Sequence, residues 1–209
     1  MDTLQALTDS FRAAAEKVSA IVAPVATMAD AISYAVNLCD AKEACQLLVS
    51  GCESPLSAPA ENLCDLKQQK VMAAPGMPAD RFEAMAAQCR DKGILLIQEG
   101  LRNHLAGIDI GFTIADFGIA ETGTLVIDSS SEAIRLATMV SEVHVAVLPR
   151  EKIRATAVDL ERELEAFMAA APDYLAFITG ASRTADIERV LALGVHGPLE
   201  LHILILEEA

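Results

Sequence analysis

Two polar clusters interrupt apolar, strand-like runs in this chain, and their residue types could do chemistry. The first is Gly118-Ile119-Ala120-Glu121-Thr122-Gly123-Thr124, preceded by Ile110-Gly111-Phe112-Thr113-Ile114-Ala115-Asp116 and followed by Leu125-Val126-Ile127. Its carboxylates, Asp116 and Glu121, stand beside the hydroxyls of Thr113, Thr122 and Thr124. Carboxylates near tight turns suit acid–base or nucleophilic work. The plainer alternative is turn formation, in which an Asp bonds its own backbone. Glu121 adjoins an apolar strand, where an unpaired charge is costly, and Arg135 or Arg183 would serve as its partner.

The second cluster is Thr179-Gly180-Ala181-Ser182-Arg183-Thr184-Ala185-Asp186. A strand feeds a glycine turn, and the spacing predicts a helix from Ala185 to Leu193, stopped by Gly194. Helix N-termini hold phosphate or carboxylate through their free N–H groups. Ser182, Arg183 and Thr184 would add a charge and two hydroxyls. The plainer alternative is a capped helix, with Ser182 or Thr184 as cap and Asp186 and Glu188 complementing the dipole.

Of the four histidines, His196 in the turn Gly194-Val195-His196-Gly197-Pro198 is best placed to join the second cluster. His144 and His202 lie in strand-like runs and read as structural, and His104 as exposed. The chain has no H-E-x-x-H pattern, no Walker loop and no G-x-G-x-x-G, so no metal site and no common nucleotide fingerprint is expected. The five cysteines are an odd number, which argues against a disulfide framework. Cys39, Cys45, Cys52 and Cys64 share one window without a C-x-x-C pair, and read as reduced, mostly buried thiols.

The elements that must position these clusters follow from composition and period. At 209 residues and 53% hydrophobic, the chain can build one sizeable α/β core, and without Trp it must use Ala, Val, Ile, Leu and Met. A formal charge of −14 gives no footprint for nucleic acid and disfavours anionic membranes. An anionic ligand would need local arginines or helix ends. Met1-Asp2-Thr3-Leu4-Gln5 has no signal-peptide character and no apolar run reaches membrane-spanning length, so a cytoplasmic protein is expected.

Residues 2–22 read as an amphipathic helix interrupted by Pro24, and residues 29–40 as a second helix. Residues 47–49, 71–74 and 94–97 read as short buried strands, 62–68 as a short helix and 80–91 as a longer one. Residues 110–127 read as two or three strands with a local hairpin inserted in the sheet. Ser129-Ser130-Ser131-Glu132 opens a helix to about Val140. Residues 143–148, 174–178 and 201–206 read as strands, and 156–170 as the clearest helix. The alternation predicts an open, largely parallel sheet. The expected division is a helical extension at 1–28 and an α/β domain at 29–209.

The residues from Gly107 to Ile127, with Thr113-Ile114-Ala115-Asp116 and Ala120-Glu121-Thr122-Gly123-Thr124 at their centre, resemble the central signature of the lactate-utilisation (LUD) domain family. Thr179 to Glu188, followed by Gly194-Val195-His196-Gly197-Pro198, resembles that family's carboxy-terminal signature. The resemblance covers residues 107–206 closely and the rest generally, in the size class of the family's small C subunits.

It implies a NagB/RpiA/CoA-transferase-like fold with helices on both faces of a parallel-rich sheet. It also implies a part in oxidising L-lactate to pyruvate beside iron–sulfur partner subunits, which would hold the clusters, with no cofactor in this chain. A ligand site for a small anion or nucleotide-like molecule would gather Thr113, Asp116, Thr122, Gly123, Thr124, Gly180, Ser182, Arg183, Thr184, Asp186, His196 and Gly197. Two alternatives stand beside it. One is a self-sufficient transferase or isomerase using Glu121, because related CoA transferases attack a thioester with a glutamate near a glycine. The other is a sensor of a small phosphate or carboxylate. A homo-oligomer is compatible with each.

Overall fold

The apolar runs spaced between polar turns assemble mainly into one parallel sheet. The structure is a computed structural model, and it describes residues 3–44, 69–104, 107–169, 174–185, 191–193 and 197–207. The first half holds α1 (Thr3–Lys17), β1 (Ile21–Val25), α2 (Met28–Ala41), β2 (Val71–Ala73), α3 (Ala79–Asp91) and β3 (Leu95–Ile97). The middle holds β4 (Ile108–Ile114), β5 (Phe117–Ile119), β6 (Thr124–Asp128), α4 (Glu132–Val140), β7 (Ser141–Pro149) and β8 (Ile153–Arg154). The last part holds α5 (Glu161–Phe167), β9 (Leu175–Thr179), β10 (Arg183–Ala185), β11 (Leu191–Leu193) and β12 (Glu200–Leu206).

Among the described residues, six strands run parallel in the order β1-β12-β7-β4-β2-β3. A sheet covered on both faces needs near-continuous apolar strands, and Val143–Leu148 and Leu201–Leu206 are buried throughout. One face packs Ile110, Phe112, Val145 and Leu204 against α2 and α3 through Ile32, Val36 and Met85. The other packs Ala146, Leu148, Ile203 and Ile205 against Phe11 of α1 and Leu125 and Ile127 of β6. Each large side chain buried this way contributes about 1.5–3 kcal/mol. Helix α4 lies so close to β4 that a Cβ at Gly111 would stand 2.2 Å from the Ala137 carbonyl oxygen. Only glycine permits that approach.

A second sheet, ordered β8-β5-β6-β9, covers this second face. Its outer side buries Phe117, Ile119 and Val126 under Leu160, with Leu164 and Phe167 packed against them. The amino ends of the parallel strands are tied by charge. Lys42 Nζ donates to Asp109 Oδ1 at 2.9 Å and to Glu142 Oε2 at 3.2 Å, while the Val71 amide donates to Asp109 Oδ2 at 2.7 Å.

Several expectations are corrected. The helix expected over 2–22 ends at Lys17; Ser19 takes a left-handed φ of 65°, and Ile21–Val25 is a strand paired with β12. Pro24 is tolerated there because β1 is an edge strand. The helix expected over 156–170 is shorter: a 3-10 turn at Val158–Leu160 leads into the seven residues of α5, and Met168 is exposed. The hairpin β5–β6 belongs to the second sheet rather than the parallel one. The helix expected from Ala185 to Leu193 is replaced at its described residues by strands: Ala185 ends β10, which pairs antiparallel with β11 at Leu191–Leu193. Ser131 is the N-cap of α4, without a side-chain capping bond. The strand expected at 47–49, the helix at 62–68, and Cys45, Cys52 and Cys64 lie outside the described residues.

Candidate functional site

The two polar clusters, remote in sequence, do meet. Strands β6 and β9 pair antiparallel and set Thr124 opposite Thr179. Their hydroxyls bond at 2.7 Å, and Thr122 Oγ1 bonds Thr124 Oγ1 at 2.7 Å. The glycine of each turn has a left-handed φ, 65° at Gly123 and 73° at Gly180. Both press on the end of α1. A Cβ at Gly123 would lie 2.2 Å from the Ala15 nitrogen, and one at Gly180 would lie 2.2 Å from the Val18 carbonyl oxygen. Arg183 donates to that same Val18 oxygen. Both glycines are therefore used for packing against α1.

Most of the first cluster is turned to structural work. Asp116 Oδ2 accepts from the Asp128 amide at 2.6 Å, and burial pushes its carboxyl pKa up. Thr113 Oγ1 bonds His144 Nε2 at 2.8 Å in the buried layer between β4 and β7, and burial drives the imidazole down to about 4. His202 is likewise engaged, with Tyr34 Oη at 2.8 Å and Glu200 Oε2 at 2.9 Å. Glu121 is exposed at the β5–β6 turn, held by its amide to the Ala155 carbonyl at 3.0 Å. The burial cost expected for its charge does not arise. Neither expected partner reaches it: Arg183 bonds Val18, and Arg135 donates to the carbonyls of Ser129 and Ser130, the latter at 2.9 Å.

Among the described residues, two hollows compete as a ligand site. Open parallel sheets favour a crevice at the carboxyl ends of strands where the winding reverses. Here the chain winds outward from β2 to β3 and the other way from β4 to β7, so that point lies between β2 and β4. A crevice of about 80 Å³ sits there, lined by Gly76, Met77, Phe112, Thr113, Ile114 and Ile134 among others. Its lining holds no cation for an acid. The second hollow is a cleft of about 510 Å³ between β9 and α4. Gly180, Ser182, Arg183 and Gly197 line it from the second cluster, and Arg135 and Thr138 from α4. Among its described lining residues the charged groups are Arg135 and Arg183, and none is acidic.

In a chain of net charge −14, two guanidinium groups on one cleft make a local reversal of sign. The Arg135 guanidinium also stands 4.9 Å from the ring centroid of Tyr174, which orients it. With the hydroxyls of Thr138, Thr179 and Ser182 beside them, these groups can bind a carboxylate or phosphate.

The structure thus brings together Gly180, Ser182, Arg183 and Gly197. It places Thr113 in the smaller crevice, and leaves Asp116, Glu121, Thr122, Gly123 and Thr124 off the cleft lining. Thr184 lies in β10, where its backbone pairs opposite Ala192; Asp186 and His196 lie outside the described residues. Arg183–Ala185 form the strand β10 rather than the anion-binding helix end expected there. Sequence reading missed Met139, Tyr174 and Phe177 in the cleft. Residues 174–178 read simply as a strand, and nothing in that run marks Tyr174, just before β9, and Phe177, within it, as more than half exposed.

Comparison with known proteins agrees with this architecture. The model of the LUD domain family matches residues 8–206. Lactate utilization protein C of Halalkalibacterium halodurans is 34% identical over 103 residues, 48% of this chain and 45% of that protein. The protein of the same name in Bacillus subtilis is 36% identical over 95 residues, covering 44% and 40%. This chain therefore spans less than half the length of these two relatives. A DUF162 family protein from Deinococcus radiodurans shares the fold, with a TM-score of 0.60 at 14% identity over 98% of this chain and 99% of the other. No described helix is long and apolar enough to cross a membrane. Matched over nearly its whole length, the chain belongs to the LUD domain family.

Proposed function

We propose that this chain is a cytoplasmic subunit of an L-lactate utilisation system. It contributes to oxidation of L-lactate to pyruvate together with iron–sulfur partner subunits, and its share is to bind a carboxylate in the cleft between β9 and α4. Family membership and the relatives named Lactate utilization protein C support the pathway. The observation that carries the binding role is the pair Arg135 and Arg183 on a cleft without a described acidic residue. The clusters are assigned to the partner subunits, as the family resemblance implies. Burial pushes the Cys39 thiol up to about 12 and the Cys89 thiol up to about 11, as expected of buried, reduced thiols.

The test is genetic and uses the full chain in its native cell. Deleting the gene should abolish growth on L-lactate and spare growth on pyruvate. Wild-type protein should restore it, and the Arg135→Ala, Arg183→Ala double variant, expressed at the same level, should not. Normal growth of the deletion strain on L-lactate would remove the pathway assignment. Full rescue by the double variant would remove the role of the arginines.

A further inference from the structure

The cleft is large for a three-carbon acid. About 510 Å³ falls in the range of roughly 300–1,000 Å³ that houses much bigger ligands. Its shape follows from β9. Among the described strands β9 has one neighbour, β6, and no described strand pairs with its other edge. The Ser129 amide donates to the Tyr174 carbonyl at 2.7 Å, which fixes the alternation of the antiparallel ladder. Residues 176 and 178 then bond β6, and the N–H and C=O groups of Leu175, Phe177 and Thr179 project away from it. All five residues of β9 line the cleft, so this row of backbone donors and acceptors faces the hollow.

Exposed apolar groups flank the row. Met139 is 58% exposed, Tyr174 58% and Phe177 51%, and all three line the cleft. An unpaired strand edge bordered by exposed aromatic residues is normally blunted by charge, proline or a covering element. Here the charges supplied are Arg135 on the opposite wall and Arg183 beyond the turn that follows the strand, both cationic.

We infer that the cleft takes an extended, acidic segment of a partner polypeptide, which adds as a strand to the free edge of β9. Main-chain bonds would form at Leu175, Phe177 and Thr179, carboxylates of the segment would meet Arg135 and Arg183, and its apolar side chains would cover Met139, Tyr174 and Phe177. A second copy of this chain is a poorer occupant, because pairing two β9 edges about a two-fold axis brings like guanidinium groups and two bodies of charge −14 together. The inference rests on the carboxylate-binding role proposed above and assigns the carboxylate to a side chain of a partner rather than to free lactate.

Amide hydrogen exchange of the full-length protein distinguishes these cases. The probe is a short peptide alternating glutamate and valine, with a lysine–valine peptide and free L-lactate as controls. The glutamate peptide should slow exchange at the amides of Leu175, Phe177 and Thr179 by at least about tenfold, a free-energy difference of about 1.4 kcal/mol. The lysine peptide should leave them unchanged. Phe177→Lys, which places a charge on an exposed position of the edge, should abolish the protection while leaving the unfolding midpoint of the protein in place.

Three results would overturn the inference. They are no binding of the glutamate peptide at millimolar concentration, binding without protection of those three amides, and a concentration-dependent dimer that Phe177→Lys dissolves. If L-lactate binds in an Arg135-dependent way while the peptide does not, strand addition fails and the carboxylate-binding role stands. If neither binds, both fail.

Discussion

The two glycine turns, 120–123 and 180–183, resemble each other in sequence and differ in fate. Both follow or precede a strand of the second sheet, each carries a hydroxyl (Thr122 in the first, Ser182 in the second), and both hold a glycine at positive φ against the end of α1. The first is closed on the side of its glycine, although Glu121 and Thr122 are exposed. Gly123 and Thr124 are buried, and Thr124 spends its hydroxyl on its neighbours. The second opens on one side to a cleft, because β9 is an edge strand and nothing described pairs beyond it. A polar turn becomes a site through what fails to cover it, and its own residues do not reveal that.

The hardest test of this pairing is to put a methyl group into each glycine. Gly123→Ala must relieve both a left-handed φ and a Cβ set 2.2 Å from the backbone of α1. The expected loss is roughly 3–5 kcal/mol, read as a lower urea midpoint. Gly180→Ala should cost a similar amount for the same two reasons. A near-neutral Gly123→Ala would mean that α1 does not seal the first turn, and the contrast between the turns would collapse.

How far the sequence announced this difference can be followed residue by residue. Val143–Leu148 and Leu201–Leu206 were legible because a strand buried on both faces must be continuously apolar. Helices α2 and α3 were legible from their one-sided spacing. Strand β1 was hidden because Ile21 continues the apolar spacing of α1, and only the left-handed Ser19 breaks the phase. The hairpin β10–β11 was hidden because Ser182-Arg183-Thr184-Ala185-Asp186 has the composition of a capped helix start, and pairing with Leu191–Leu193 overrides that local preference. Within the site, Gly180, Ser182, Arg183 and Gly197 were legible as a polar turn. Arg135 was seen only as a candidate partner for Glu121, because nothing local says that α4 forms the facing wall.

The closed side can also be probed through pH. His144 is buried with Thr113, and its imidazole is held at about 4, below the ordinary 6.5, by burial. Between those values the unfolded chain binds a proton that the folded chain refuses. Stability is therefore full above pH 6.5 and declines as pH falls toward 4, by up to about 3 kcal/mol. Burial of Asp116 raises its carboxyl and acts in the opposite sense, weakening the fold as pH rises through the carboxylate range. The difference between wild type and His144→Gln, followed by urea denaturation across this window, isolates the imidazole. A His144→Gln protein with the same pH slope as wild type would show that the ring is not excluded from water.

A smaller effect separates the two ends of the hydroxyl chain. Thr124 is 5% exposed and bonded on both sides, whereas Thr179 is exposed on β9. Thr124→Val should cost about 1–2 kcal/mol, because it removes two hydrogen bonds at a buried position. Thr179→Val should cost less than about 0.5 kcal/mol, since water replaces the lost bond. Equal costs would place both threonines on the closed side.

The least effect on stability is expected where the effect on binding is greatest. Arg183 is exposed, and its bond to the Val18 carbonyl competes with water, so Arg183→Ala should change the unfolding free energy by under about 1 kcal/mol. The same substitution removes one of the two described charges on the cleft. Affinity for a carboxylate ligand should fall about tenfold or more, with the salt dependence of binding reduced in step. Arg183→Lys keeps the charge but not the planar fork, so it should restore the salt dependence and only part of the affinity. A variant that loses stability and keeps affinity would place Arg183 with Gly123 as a fastener of α1. A variant that keeps stability and loses affinity places it on the open turn, where the geometry of the cleft puts it.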